Sequence, residues 1–162
     1  MSLPSTRRLL KEYKSGQKAD NSLSSESSED LISIAPVDQD DLFYWAGEIR
    51  GSSGTPYEGG TWKIELRIPV SYPIHPPEIK FLTPICHPNI HFKTGEICLD
   101  ILKTQWTAAW TLQSSCLAIV ALLNSPAPDS PLNIDIANVM RLEDNEAKES
   151  LIRYFTEKYA MQ

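Results

Sequence analysis

Cysteine is scarce in this chain of 162 residues, which contains only three thiols. A small, odd number of cysteines does not make a disulfide framework, so we expect reduced thiols in a reducing compartment. Long apolar runs are also missing. No stretch approaches the roughly 18 consecutive apolar residues that a membrane-spanning helix needs, and the N-terminal segment has no apolar signal core. These absences predict a cytosolic or nuclear chain without direct membrane insertion, whose thiols are available for chemistry.

Basic charge is in short supply as well, since the formal net charge is −6 at pH 7. Binding to nucleic acid needs a basic face, so the composition argues against nucleic acid as a partner. The charge is unevenly distributed: residues 1–18 contain five bases and one acid, whereas residues 19–41 contain seven acids and no base. This asymmetry fits either a cationic helix that docks on an acidic protein or a solvated helix face.

The length and the 41% apolar content suit one domain that spans residues 1–162. A Ser- and acid-rich stretch at about 19–30 cannot bury apolar area, and we expect it to be a flexible insert. Before it, residues 6–14 have helical periodicity, and this helix is predicted to end near Gly16.

The residues after the insert change to the period of β-strands. Four apolar residues alternate with three charged ones over residues 62–68, and shorter runs at 31–34, 43–49 and 78–81 repeat the pattern. Short connections between them predict an antiparallel four-stranded meander. Three helices should follow, with N-cap residues at Thr111, Ser130 and about Asp144. The last helix should place one stripe against the core: Ala147, Leu151, Phe155 and Tyr159.

The irregular stretch 83–110 holds most of the side chains that could carry chemistry. A zinc site is one interpretation, but the stretch has no Cys-x₂₋₄-Cys knuckle, and adjacent Cys86 and His87 would point apart. A hydrolase with Cys98 as nucleophile is another. It would need a histidine held by a third group, and none of His75, His87 and His91 has a recognisable nucleophile context.

Thioester transfer is the third interpretation. A cysteine that exchanges an already activated acyl group needs an accessible thiol, an amide donor for the oxyanion and a group that orients the acceptor, but no adjacent base. Cys98 supplies the thiol and Asn89 the amide. Asp129 and Ser130 lie before the predicted third helix and could approach Cys98 from the other side.

Several motifs together resemble the ubiquitin-conjugating enzyme family over nearly the whole chain. They are Thr55-Pro-Tyr-Glu-Gly-Gly60, Tyr72-Pro-Ile-His-Pro-Pro77, His87-Pro-Asn-Ile90, Thr94-Gly-Glu-Ile-Cys-Leu-Asp-Ile-Leu102 and Gln105-Trp-Thr107. The resemblance implies an α+β ubiquitin-conjugating fold with an N-terminal helix, a four-stranded antiparallel meander and three C-terminal helices. It also implies that Cys98 is the thioester cysteine and Asn89 the active-site asparagine.

The same resemblance implies partners and supporting residues. Ubiquitin is the group carried, and ATP is used by the upstream activating enzyme, so no cofactor or metal is expected here. Arg7, Arg8 and Lys11 would face the activating enzyme. A RING-type ubiquitin ligase would meet Ile74, Ala108 and Ala109. His87 and Trp106 would support the loop around Cys98.

Three residues depart from the usual pattern of the family and indicate one branch of it. Ala108 stands where proline is usual, Ile74 where phenylalanine is frequent, and Ser130 where an acid is common. Together with the segments 106–112 and 129–141, these residues most resemble the fungal peroxisomal branch. That likeness implies recruitment to the cytosolic face of the peroxisome by a membrane-anchored peroxin, and the peroxisomal import receptor as substrate. A general cytosolic conjugating enzyme and a non-catalytic binding module of the same fold are the alternatives.

Overall fold

A computed structural model describes residues 3–19, 29–127 and 129–161. Nearly all of the insert predicted at about 19–30 lies outside the described residues. The described elements follow in chain order: α1 (Pro4–Ala19), β1 (Leu31–Asp38), β2 (Asp41–Arg50), β3 (Thr61–Arg67), β4 (Glu78–Phe81), a 3₁₀ turn (Asp100–Leu102), α2 (Leu112–Asn124), α3 (Ile134–Arg141) and α4 (Asn145–Ala160).

The four strands form one antiparallel sheet in the order β1-β2-β3-β4, which confirms the predicted meander. Alternation in the sequence becomes alternation in burial, because successive side chains of a strand point to opposite faces. In β3 the apolar positions Trp62, Ile64 and Leu66 are fully buried, while Lys63 and Arg67 are exposed. The helices cover the apolar face of the sheet and leave the charged face exposed to solvent.

Two elements differ from the sequence prediction at their ends. Helix α1 begins at Pro4 and continues through Gly16 to Ala19. Strand β1 runs beyond the predicted 31–34 and includes Pro36. Proline has no N–H for a ladder, and β1 tolerates it because it is an edge strand of the described sheet.

The predicted start of the third helix at Ser130 was wrong. Helix α3 begins at Ile134 and is capped by Asn133, whose side chain accepts a hydrogen bond from the N–H of Ile136. The N–H groups of Leu132 and Asn133 instead donate to the carbonyl oxygen of Pro88. Residues 130–133 are therefore attached to the segment that precedes Asn89 instead of forming the first helical turn.

The stripe predicted on α4 packs against the core in part, since Leu151 and Phe155 contact the core. Ile152, Thr156 and Ala160 are buried, whereas Ala147 is exposed. The predicted residues Leu151, Phe155 and Tyr159 are half-buried on the neighbouring strip. The rings of Phe155 and Tyr159 contact Phe92, at 5.2 and 5.6 Å between centroids.

Candidate active site

The segment that carries Cys98 is built as a short hairpin beside the sheet. Ile90 bridges Ile97, and the N–H of His91 donates to the carbonyl oxygen of Glu96. Gly95 makes the turn possible, since its φ is +72° and a Cβ there would lie 1.8 Å from the carbonyl oxygen of Phe81. Only glycine fits a left-handed position so close to another strand. Cys98 follows this turn in the chain.

Core aromatic residues hold the preceding segment. The hydroxyl of Tyr57 donates to the carbonyl oxygen of Cys86 at 2.7 Å, and the indole N–H of Trp62 donates to that of Pro84 at 3.1 Å. These are functional positions that sequence reasoning missed. Tyr57 lies inside the Thr55–Gly60 motif, so the sequence marked this residue but did not indicate its role.

The three thiols differ in accessibility. Cys86 is 4% exposed and Cys116 is fully buried, and burial raises the pKa of each thiol to about 12. The charge of Asp135 contributes to the shift at Cys86. Cys98 is partly exposed. The thiolate is the reactive form of cysteine, so Cys98 is the thiol that can act as a nucleophile.

Asn89 links Cys98 to the loop that precedes α3. The N–H of Cys98 donates to the carbonyl oxygen of Asn89 at 2.8 Å. The Asn89 side chain accepts from the N–H of Ala127 at 2.8 Å and donates to the carbonyl oxygens of Ala127 at 2.5 Å and Ser130 at 3.4 Å. The structure thus connects Asn89 to the loop of Ser130 through the Ser130 carbonyl oxygen. Asp129 and the Ser130 side chain are exposed.

His87 is fully buried, and both of its ring nitrogens are occupied. Nδ1 accepts from the N–H of Asn89, so Nε2 carries the proton and donates to the carbonyl oxygen of Leu122 at 2.9 Å. Burial lowers the pKa of His87 to about 4, although the bond to Leu122 opposes the shift. A neutral, doubly bonded imidazole supports the loop and has no free nitrogen for zinc or for a general-base role. Among the described residues, no group of three or more His, Cys, Asp or Glu could hold a metal.

A model of the ubiquitin-conjugating enzyme family matches residues 8–155. The chain belongs to the ubiquitin-conjugating enzyme family. Membership implies ubiquitin, an activating enzyme and a ligase as working partners.

Relatives of this ubiquitin-conjugating enzyme cover almost its full length. The ubiquitin-conjugating enzyme E2 pex4 of Dictyostelium discoideum is 49% identical over 152 residues, which are 94% of this chain and 97% of the relative. Protein PEROXIN-4 of Arabidopsis thaliana is 47% identical over 154 residues, 95% of this chain and 94% of the relative. The crystal structure of the H. polymorpha ubiquitin-conjugating enzyme Pex4p in complex with the soluble domain of Pex22p superposes with a TM-score of 0.92. It is 39% identical, covering 98% of this chain and 100% of that chain.

The residues predicted to meet the ligase lie on two exposed loops of this enzyme. Ile74 is 76% exposed, and Ala108 and Ala109 are exposed as well. The indole N–H of Trp106 donates to the carbonyl oxygen of Pro73 at 2.9 Å, so it joins the two loops. Trp106 therefore links the loop that carries Ala108 and Ala109 to the loop that carries Ile74.

The three bases predicted to face the activating enzyme differ in their surroundings. Arg7 and Lys11 are exposed on α1. The guanidinium of Arg8 instead has intramolecular partners: Glu12 at 2.6 Å and the carbonyl oxygens of Ala108 and Trp110 at 3.1 and 2.9 Å. Sequence reasoning missed Glu12, which looked like an ordinary acid on a basic helix.

Proposed function

We propose that Cys98 accepts ubiquitin as a thioester and transfers it to an acceptor. In loading, the Cys98 thiolate attacks the carbonyl carbon of the ubiquitin thioester on the activating enzyme, a new C–S bond forms, and the activating enzyme's thiol leaves. In discharge, an acceptor amine or thiol attacks the same carbonyl and the Cys98 thiolate leaves. The observation that supports this assignment is that Cys98 is the one thiol of the three that is not buried.

Asn89 and the 127–130 loop form the acceptor side of the proposed site. The Asn89 amide is already engaged by the main chain at Ala127 and Ser130, so we assign it chiefly to holding this loop beside the thiol. Asp129 and Ser130, both exposed, would meet the incoming nucleophile. Ser130 has no carboxylate that could orient a lysine ammonium or accept its proton, which makes a cysteine acceptor chemically reasonable here.

The docking surfaces follow from exposure and chemistry. Arg7 and Lys11 would contact the acidic activating enzyme. Arg8, which bonds to groups within the protein, would support that surface. Ile74, Ala108 and Ala109 would meet a RING-type ligase. Relatives named pex4 and PEROXIN-4 support an association with the peroxisome. We place the enzyme on its cytosolic face and propose the import receptor as substrate. The Pex4p–Pex22p complex supports a membrane-anchored peroxin as the recruiting partner. No helix of the described residues is both long and apolar enough to cross a bilayer.

A loading assay tests the central claim. The protein is incubated with activating enzyme, ubiquitin and ATP, and adducts are separated with and without reducing agent. The wild type should give one adduct that reducing agent removes, whereas Cys98→Ser should give an oxyester that survives it. Cys86→Ala and Cys116→Ala serve as matched controls and should load normally. A wild-type protein that forms no adduct would mean a non-catalytic module, and loading by Cys98→Ala would move the reaction to another residue.

A further inference from the structure

One carboxylate joins three distant segments of the chain. Oε1 of Glu12 accepts hydrogen bonds from Nε of Arg8 at 2.6 Å and from the hydroxyl of Tyr72 at 2.7 Å. Oε2 accepts from the N–H of Leu112 at 2.8 Å. Glu12 and Arg8 belong to α1, Tyr72 to the proline-rich loop before β4, and Leu112 opens α2. The carboxylate is therefore the common acceptor of all three.

Arg8 extends this cluster to the second exposed loop. Its terminal nitrogen donates to the carbonyl oxygens of Ala108 and Trp110, and its guanidinium carbon lies 5.8 Å from the centre of the Tyr72 ring. The Glu12 side chain is only 10% exposed, and Tyr72 is buried. Charge-assisted hydrogen bonds shielded from water are stronger than neutral or exposed ones. Helix α1 thus holds Tyr72 and the N–H of Leu112 by part-buried charge-assisted bonds, and the carbonyl oxygen of Ala108 by an exposed one.

The two loops also contact each other, since the rings of Tyr72 and Trp106 lie 6.0 Å apart. Ile74 lies two residues beyond Tyr72, and Ala108 is itself one of the carbonyl groups that Arg8 contacts. Neither residue lies in a helix or strand. The Trp106 indole N–H donates from one loop to the carbonyl oxygen of Pro73 in the other, and the Arg8–Glu12–Tyr72 cluster connects both loops to α1.

We propose that Glu12 is a positioning residue that holds the Ile74 loop and the Ala108–Ala109 loop at a fixed separation, so that a ligase meets a preformed surface. The idea rests on the proposed function of Ile74 and the two alanines as the ligase surface. A surface that is ordered before binding avoids the entropy cost of ordering during binding. Loss of the cluster should therefore weaken ligase docking without altering the thiol.

Tyr72→Phe is the cleanest test, because it deletes one hydroxyl and keeps the ring and Arg8 in place. Tyr44→Phe is its matched control, since it deletes a Tyr–Glu hydrogen bond of 2.9 Å to Glu65 on the sheet. Glu12→Gln is the second variant, which removes the charge while keeping the shape. Two readouts apply: amide hydrogen exchange over residues 70–76 and 107–112, and discharge to free lysine titrated with a RING-domain protein that accelerates the wild type.

The expected results separate positioning from simple loss of stability. Tyr72→Phe and Glu12→Gln should raise exchange in both loops and raise the RING concentration for half-maximal stimulation about fivefold to tenfold, equivalent to about 1 to 1.4 kcal/mol of docking free energy. Discharge without the RING protein should stay within about twofold of wild type. Tyr44→Phe should change neither readout. Lower thermal stability with an unchanged RING titration would overturn the proposal.

A further variant distinguishes failure of this inference from failure of the ligase surface. Ile74→Ala removes a side chain that is 76% exposed and touches none of the cluster's hydrogen bonds. If it abolishes RING stimulation while Tyr72→Phe and Glu12→Gln behave as wild type, the ligase surface stands and the positioning role is wrong. If Ile74→Ala leaves stimulation intact, the ligase surface is elsewhere and the inference fails with it. Should Glu12→Gln not fold, Tyr72→Phe decides alone.

Discussion

The N–H of Cys98 donates to the carbonyl oxygen of Asn89 across 2.8 Å, while the side chain of the same asparagine is bonded to the main chain of Ala127 and Ser130. Backbone and side chain of one residue therefore reach opposite sides of the proposed reaction centre. This arrangement makes the position of the thiol and the position of the acceptor loop depend on each other.

Asn89→Ala should lower both stability and discharge. The substitution removes three part-buried hydrogen bonds to Ala127 and Ser130, and each such bond contributes about 0.5–1.5 kcal/mol net. Denaturant unfolding measures the stability, and single-turnover discharge of preloaded enzyme measures the rate. Loading should be affected less than discharge. Asn89→Asp is the control: it keeps an acceptor for Ala127 but replaces the donor by an oxygen that faces two carbonyls, so it should not restore stability. Full stability with slow discharge would instead favour a direct oxyanion contact.

Cys98 should be the one thiol alkylated in the native protein. Cys86 and Cys116 are buried, and with the pKa raised to about 12 they hold on the order of one thiolate in 10⁴ at pH 8. Brief iodoacetamide treatment followed by mass spectrometry should add one carbamidomethyl group, which maps to Cys98 and blocks loading. All three thiols should react in guanidinium chloride. A second group added under native conditions would contradict the burial of the other two.

Gly95→Ala and Gly54→Ala form a matched pair that separates backbone strain from steric clash. Both glycines have positive φ, +72° and +75°, but a Cβ at Gly54 would meet nothing within 4 Å. Gly54→Ala should therefore cost about 1–2 kcal/mol. Gly95→Ala should cost more than about 3 kcal/mol, because its Cβ would overlap the carbonyl oxygen of Phe81. Urea unfolding compares the two. Equal losses would mean that the turn before Cys98 yields more readily than its packing indicates.

Stability should fall in mild acid because of His87. Its pKa drops from the ordinary 6.5 to about 4 on folding, so the unfolded chain takes up a proton that the folded chain refuses. The contribution of neutral His87 is complete above pH 6.5 and is lost as pH falls toward 4, at about 1.4 kcal/mol per pH unit. Unfolding free energies at pH 7 and 5 should differ by about 2 kcal/mol from this group.

His87→Gln should remove that part of the pH dependence, whereas His75→Asn, at an exposed position, should keep it. Titration of the His87 imidazole by NMR provides a second measurement that needs no variant. A midpoint near 6.5 would show that the buried hydrogen bonds to Asn89 and Leu122 do not exclude the proton.

The sheet was predictable from sequence because one of its faces is exposed to solvent and the other is buried. The alternation of apolar and charged residues over Trp62–Arg67 matches the alternation of buried and exposed side chains. Thr111 and Asp144 cap their helices as the sequence indicated. The start of α3 was not predictable from local rules. Ser130 and Pro131 make a good local helix start, but the tertiary bonds from residues 132 and 133 to the carbonyl oxygen of Pro88 prevail over that preference.

The site was predictable to the extent that its chemistry lies in one continuous stretch. Cys98, Asn89 and His87 lie within twelve residues, and the resemblance marked their motifs. The contacts of Glu12 could not be found in this way, since Tyr72 and Leu112 are 60 and 100 positions away. Spacing on a helix indicates the Arg8–Glu12 pair, but which distant hydroxyl or amide completes it depends on how the helices pack.

The Asn89 side chain reaches the acceptor loop only through backbone atoms, the N–H and carbonyl of Ala127 and the carbonyl of Ser130. Side chains in that loop can therefore be exchanged during evolution without loosening the anchor that fixes the thiol. Under the proposed function, point substitutions at Asp129 and Ser130 would alter which nucleophile is admitted while the thioester chemistry remains the same. The choice of acceptor and the chemistry of transfer become separate heritable traits of one scaffold.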